Sequence, residues 1–173
     1  EVVQFLLDNR ADVNGNGRQA RTPLSFAVEA GNKTMVELLL GRRADINATY
    51  SYGETALHIA INKGYRSVAE TLIAAKANVN AKKTLRSDTL SFTQIIVTPL
   101  HAALVKNDQK LVELLLHHGA DVDLASSEGV TPLHWAAYLG TTEIGKLLLD
   151  TVSRSRCPFK NTLLMGKIGM GSL

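Results

Sequence analysis

Apolar positions between residues 22 and 150 come in short blocks that return in pairs. One block follows each of Thr22, Thr55, Thr98 and Thr131, and a second begins thirteen residues after each threonine. Between the blocks, nine residues after the threonine, stands a glycine or an asparagine. These residue types best tolerate the left-handed conformation that ends a helix. The pattern therefore predicts units of a short helix, a tight turn and an antiparallel second helix.

The four threonines are separated by 33, 43 and 33 residues, which indicates one repeating period with a single insertion. Each threonine suits the N-cap of a helix, and in three of the four units a proline follows at the first helical position. Each unit closes on a turn such as ADIN at Ala44 or ANVN at Ala77. Because one helix pair cannot bury its own apolar face, stability is expected to come from stacking between neighbouring units.

The segments TPLSFAVEAG, TALHIAINKG, TPLHAALVKN and TPLHWAAYLG resemble the ankyrin repeat. The resemblance covers residues 1–150. It implies an all-α solenoid of about four and a half helix-turn-helix repeats, with hairpin loops between units and a concave face that binds proteins. It also implies that the histidines of the TPLH motif hydrogen-bond to the capping threonine and the adjacent loop. The expected units are residues 1–14 (the second half of a repeat), 15–47, 48–80, 81–123 and 124–150 (an incomplete last repeat).

The ends of the chain depart from this pattern. Residues 2–14 match only the closing half of a repeat, so their apolar side chains lack the usual upstream cover. We therefore expect a monomeric fragment of a larger repeat protein, or further repeats before Glu1. Residues 151–173 have no period and are expected to form a poorly ordered basic tail or an extension of the last helix.

Two internal departures concern the turns. The glycine expected before the closing turn is present as Gly119 but is replaced by Arg10, Arg43 and Lys76. A side chain in a left-handed conformation there costs about 1 kcal/mol. The third unit also carries ten extra residues between Asn80 and Thr98.

The extra residues have two interpretations. They are a tolerated lengthening of a hairpin loop, since loop-closure entropy grows slowly with length. Alternatively, they form a finger that grips a ligand through its apolar side chains, Leu90, Phe92, Ile95 and Ile96.

The composition and net charge of the chain do not favour a nucleic-acid-binding, disulfide-bonded or membrane protein. The chain has 173 residues and a formal net charge of +3, but the tail from Thr151 holds four cations and no acid. Residues 1–150 therefore carry −1. Cys157 is the single cysteine, so no internal disulfide is possible and an intracellular location, cytoplasmic or nuclear, is expected. No leader peptide or membrane insertion is predicted.

The titratable residues show no catalytic arrangement. His58, His101 and His134 share one repeat position, which explains them as structural residues. His117 and His118 lack further metal ligands at helical spacing, and Cys157 has no paired base. The sequence therefore predicts no enzyme, no cofactor and no metal site.

Partner-binding positions are predicted where the units differ on a constant frame. These positions precede each capping threonine or lie at the end of each first helix. Trp135 and Tyr138 are the best anchors because large aromatic side chains supply much of the binding energy at interfaces, although Trp135 also suits packing between units. The predicted set is Arg18, Gln19, Arg21, Glu29, Ser51, Tyr52, Glu54, Asn62, Lys63, Gln94, Lys106, Glu128, Trp135, Tyr138 and Leu139.

These features favour a non-catalytic protein-binding module. The alternative is a regulatory or targeting segment of a larger multidomain enzyme, ubiquitin-ligase adaptor or channel. Nucleic-acid binding through Lys82, Lys83, Arg86 and the tail is disfavoured, because these cations do not alternate with aromatic residues or share one regular face. The partner is therefore expected to be another protein.

Overall fold

The computed structural model describes residues 2–15, 21–86, 94–125 and 129–156 of the chain. Most of these residues are helical. The helices are α1 (Val2–Asp8), α2 (Pro23–Glu29), α3 (Lys33–Gly41), α4 (Ala56–Lys63), α5 (Arg66–Ala74), α6 (Pro99–Val105), α7 (Gln109–His117), α8 (Pro132–Tyr138) and α9 (Thr142–Arg156).

The four threonines of the repeat cap the first helix of each unit, as the sequence predicts. Thr22, Thr55, Thr98 and Thr131 have extended backbones and immediately precede α2, α4, α6 and α8. The Oγ1 atom of Thr22 accepts a hydrogen bond from the backbone N–H of Ser25 at 3.3 Å. The cap satisfies a backbone donor that has no partner within the helix.

The first helices end where glycine or asparagine was expected. Gly31, Gly64, Asn107 and Gly140 have positive φ angles of 67°, 75°, 52° and 68°. The left-handed residue reverses the chain at once, so the second helix begins two residues later in each unit.

The helices form two layers of consecutive neighbours. In one layer α2, α4, α6 and α8 contact each other in order, and in the other α3, α5, α7 and α9 do the same. Leu24, Leu57 and Leu100, from the same repeat position, are buried between the layers in one continuous apolar core. The fold class is confirmed: the described residues form a solenoid of stacked helix pairs.

The closing turns are joined by a ladder of side-chain hydrogen bonds. The Oδ1 atoms of Asn14, Asn47 and Asn80 accept from backbone N–H groups of the following turn at 2.7–2.8 Å. Asn80 also donates through Nδ2 to the carbonyl oxygen of Gly119 at 3.0 Å. The last residue of each closing motif therefore ties its unit to the next.

The insertion of the third unit adds a feature that the all-α prediction omitted. Residues Lys83–Arg86 (β1) and Gln94–Val97 (β2) form an antiparallel hairpin in which Lys83 pairs with Val97. The run of β-branched residues from Ile95 to Val97 favours this conformation. Leu90 and Phe92 of the predicted finger lie outside the described residues.

The two ends of the described chain differ from its middle. Phe5 and Leu6 of α1 are exposed, and Val3 borders an open groove of about 320 Å³ that is also lined by Pro23 and Phe26. At the other end α9 continues past Asp150 to Arg156, so the last helix extends into the segment expected to be a tail. Among the described residues, no helix is both long and apolar enough to cross a membrane.

Candidate partner-binding surface

The ends of the first helices carry a row of residue pairs, which we call the ridge; they are exposed apart from the half-buried Glu29. The pairs occupy the seventh and eighth positions after each capping threonine and differ in every unit. They are Glu29 and Ala30, Asn62 and Lys63, Val105 and Lys106, and Tyr138 and Leu139. Leucines at a constant position of these helices, Leu24, Leu57 and Leu100, are buried. The residues of the ridge therefore vary in type while the helices that carry them pack in the same way.

The ridge is charged at its first two units. The guanidinium of Arg21 forms an ion pair with Glu29, and Lys63 lies 4.0 Å from the same carboxylate. Arg21 also lies over the rings of Phe26 and Tyr50, at 4.8 and 5.4 Å from their centroids. These contacts fix Arg21 and hold the Glu29 carboxylate between two cations, so the three side chains together carry one net positive charge.

The hairpin loop of the second unit supports the base of the β1–β2 hairpin. Tyr50 and Glu54 form an isolated antiparallel bridge, and the mostly buried side chain of Lys83 pairs with Glu54. Gly53 has a φ of 76°, and a Cβ atom at this residue would lie 2.7 Å from the carbonyl oxygen of Lys82. The glycine is therefore required by the close approach of two backbones.

Burial and hydrogen bonding shift the pKa values of this cluster in opposite directions. Burial alone would raise the pKa of Glu54, but hydrogen bonds from Lys83 and Tyr50 outweigh it and the pKa is lowered. Burial and the neighbouring Glu54 carboxylate raise the pKa of Tyr50. Glu54 is thus a stable anion and Tyr50 a stable donor at neutral pH, which suits a structural joint.

The TPLH histidines make the hydrogen bonds that the resemblance implies. The backbone N–H groups of Thr55, Thr98 and Thr131 donate to the Nδ1 atom of the histidine three residues later, at 3.2–3.4 Å. The Nε2 atom of His58 then reaches the carbonyl oxygen of Val97 at 3.3 Å. Because Nδ1 accepts, the ring is neutral with its proton on Nε2.

Burial keeps the rings of His58 and His101 neutral. It lowers the pKa of His58 to about 4, although the hydrogen bond to Val97 opposes the shift. Burial also lowers the pKa of His101, against the opposing effect of the Val130 backbone. The Nε2 atom of His101 nevertheless makes no hydrogen bond of normal geometry with any described residue. His58 therefore joins its cap to the following loop.

The other end of the ridge is apolar. Tyr138 is 84% exposed, Val105 is 55% exposed and Leu139 is 38% exposed. The ring of Trp135 packs edge-to-face against that of Tyr138 at 6.3 Å, and Trp135 also packs against the core. Trp135 therefore has both roles considered for it: it packs against the core, and its ring supports the exposed ring of Tyr138.

Most described members of the predicted set lie at the ends of the first helices or in the hairpin loop of the second unit. Glu29, Asn62, Lys63, Lys106, Tyr138 and Leu139 lie on the ridge, Trp135 lies beside it, and Ser51, Tyr52 and Glu54 form the hairpin loop. Arg21 lies beside the ridge through its ion pair with Glu29. Arg18, Gln19 and Glu128 lie outside the described residues. Gln94 pairs with Arg86 in the hairpin, and its side chain is not described.

The predicted set missed residues of two kinds. Val105 holds the same repeat position as Glu29 and Tyr138, so the register already indicated it. Tyr50 and Lys83 act through contacts with Arg21 and Glu54 that no sequence spacing reveals.

The His, Cys, Asp and Glu side chains of the described residues lie apart from one another or in pairs. No three His, Cys, Asp or Glu side chains in the described ranges come together to hold a metal ion. Glu37, Glu70 and Glu113 are exposed at one repeat position of the second helices.

The amino-acid sequence of the chain is similar to that of known repeat proteins. A family model described as ankyrin repeats (3 copies) matches residues 1–83 and 91–161. The chain is 37% identical over 57 residues to the putative ankyrin repeat protein FPV224 of Fowlpox virus, which is 33% of this chain and 39% of that protein.

Two longer relatives also match. Protein phosphatase 1 regulatory subunit 12A of Mus musculus is 38% identical over 55 residues, 32% of this chain and 5% of that protein. The 2-5A-dependent ribonuclease of Homo sapiens is 45% identical over 47 residues, 27% of this chain and 6% of that protein. The chain spans well under half the length of each of these three relatives.

Proposed function

Because the chain belongs to the ankyrin repeat family, we propose that it is a non-catalytic module that binds a partner protein on the face formed by the ridge and the hairpin loops. Solenoids of stacked repeats generally bind other proteins on an extended concave surface. The observation that carries the proposal is the exposure of Tyr138 beside a supporting Trp135. A large aromatic side chain held on a rigid frame loses little entropy when it binds.

The rigidity of the frame supports this choice of surface. The Asn80 side chain, the Glu54–Lys83 pair and the His58–Val97 contact each link residues at least 29 positions apart in the chain. They fix the hairpin loops against the first helices before any partner arrives. Preorganisation of this kind raises affinity because less freedom remains to be lost.

Capture of partners by the tagged chain tests the proposal. The intact chain is compared with Tyr138→Ala, with a shortened chain that lacks residues 84–93, and with a control variant. Glu113→Ala is the matched control, because Glu113 is exposed on the second helix α7. We expect the control to recover the partner in full and Tyr138→Ala to recover at least about tenfold less. Equal recovery by all the variants would refute the proposed surface.

A second candidate function is a regulatory or targeting segment of a larger enzyme. It is favoured by the phosphatase regulatory subunit and the ribonuclease, in which the matched region is only 5% and 6% of the protein. The full-length coding sequence separates the two candidates. A catalytic domain in the same chain would favour the second, and a chain of repeats alone would favour the first.

A further inference from the structure

The apolar end of the ridge carries three exposed apolar side chains from two neighbouring helices. Val105, Tyr138 and Leu139, which we call the apolar patch, lie at the ends of the neighbouring helices α6 and α8. All three are exposed, whereas Leu104 beside Val105 is buried. Contiguous apolar side chains on an otherwise polar surface mark a place where another molecule binds.

The charge next to the apolar patch is positive. Lys106 follows Val105 directly, is exposed and has no ion pair among the described residues. The nearby acids are already neutralised: Asp108 by Arg66 at 2.8 Å, and Glu143 by Lys146 at 2.9 Å. A partner with acidic groups beside its apolar side chains therefore gains charge complementarity here.

The spacing of the units suits a helix. Packed helices lie about 8–10 Å apart, which is the separation expected between the ends of α6 and α8. Side chains seven positions apart on an α-helix are about 10.5 Å apart along its axis and point to similar sides. A helix crossing the third and fourth units can place one apolar side chain beside Val105 and the next beside Tyr138.

We propose that the apolar patch binds an amphipathic helix of a partner protein, with acidic residues flanking the apolar stripe of that helix. This inference rests on the proposed function and names the partner's chemistry. Val105 and Tyr138 contact the stripe, and Lys106 contacts the acidic flank. The charged end of the ridge contributes less because its four ridge positions hold no large apolar side chain.

Two fluorescein-labelled synthetic peptides test the inference by fluorescence anisotropy. Both carry the same helical apolar stripe, and their remaining positions are glutamate in one peptide and lysine in the other. We expect the glutamate peptide to bind the intact chain at least about tenfold more tightly, with an affinity that falls as salt is added. Equal affinity for both peptides, or none for either, would overturn the acidic-helix proposal.

Variants locate the binding site of the glutamate peptide. Tyr138→Ala and Lys106→Glu are each expected to weaken it at least about tenfold. Lys76→Glu is the matched control: it reverses an exposed lysine in the turn after α5 that has no ion pair among the described residues, and it is expected to leave binding unchanged. Circular dichroism melts confirm that each variant is folded. Unchanged binding by Tyr138→Ala would contradict the site.

Partner capture tests the binding surface, and the glutamate peptide tests the chemistry of the partner. If partner capture depends on Tyr138 while the glutamate peptide does not bind, the acidic-helix chemistry is wrong and the binding surface stands. If partner capture is the same for every variant, the surface itself is wrong.

Discussion

Arg43 and Lys76 occupy backbone positions that favour glycine. Their φ angles are 64° and 70°, close to the 85° of Gly119 at the same repeat position. In all three turns the residue donates its N–H to the carbonyl three residues earlier, and the next residue donates to the carbonyl five residues before it. This pair of hydrogen bonds is typical of helices that end on a residue in the left-handed conformation, where glycine is preferred.

Replacing both residues by glycine is expected to stabilise the protein. A side chain in the left-handed conformation costs about 1–2 kcal/mol. Glycine gives back about 0.5–1 kcal/mol because it is more flexible in the unfolded chain. Arg43 and Lys76 are exposed and have no ion pair among the described residues, so no contact is lost. The net gain is therefore about 0.5–1 kcal/mol at each position.

Urea unfolding of Arg43→Gly/Lys76→Gly measures the gain as a higher midpoint with an unchanged slope. Arg43→Ala/Lys76→Ala is the matched control, because it removes the same side chains but keeps the Cβ atoms, and it should give little gain. The converse change, Gly119→Ala, should cost about 1 kcal/mol from backbone strain alone, since nothing lies within 4 Å of an added Cβ. An equal gain from the alanine and glycine variants would refute the reasoning.

Three further predictions concern the contacts between units. Asn80→Ala should lower the free energy of unfolding in urea by about 1–3 kcal/mol, because it removes two hydrogen bonds to the next turn, whereas an unchanged midpoint would show that the ladder contributes nothing. The pKa of His58 is lowered from 6.5 to about 4 in the folded protein, so its contribution to stability is complete above pH 6.5 and is lost as the pH falls toward 4, by up to about 3 kcal/mol. His58→Gln should show a smaller loss between pH 7 and pH 5 in the same urea assay, and an identical loss would contradict this assignment. Glu54→Gln should leave Lys83 without an anionic partner and raise hydrogen exchange in β1 and β2 at least about tenfold, while unchanged exchange would show that the pair does not hold the hairpin.

Local signals in the sequence were enough to predict the repeating unit. A capping threonine, a proline at the first helical position and a glycine at the helix end each act within a few residues, so their spacing reports directly on the backbone. The positive φ of Asn107 shows the same rule, because asparagine replaces glycine at the one unit where glycine is missing.

Contacts between distant residues could not be predicted in this way. Asn47 accepts from the backbone of Asn78, 31 residues away, and Lys83 pairs with Glu54, 29 residues away. These contacts appear only when the units are stacked. The β1–β2 hairpin had a local signal in its β-branched residues, but the helical period of the surrounding repeats favoured treating the insertion as a loop.

The same difference between local signals and distant contacts applies to the predicted binding surface. Variable positions identified the ridge, because constant positions belong to the core and variable ones are exposed. They did not show that Arg21 and Lys63 both pair with Glu29 while Lys106 lacks an ion pair among the described residues. That difference in ion pairing separates the two ends of the ridge.

Hydrogen exchange of the chain, alone and with its captured partner, tests the binding face most directly. We predict that the partner slows exchange at the ends of α6 and α8 and in the hairpin loop at residues 50–54, and leaves α3, α5 and α7 unchanged. Slower exchange confined to α3, α5 and α7 would contradict the account, because the partner would then occupy the opposite layer of the solenoid.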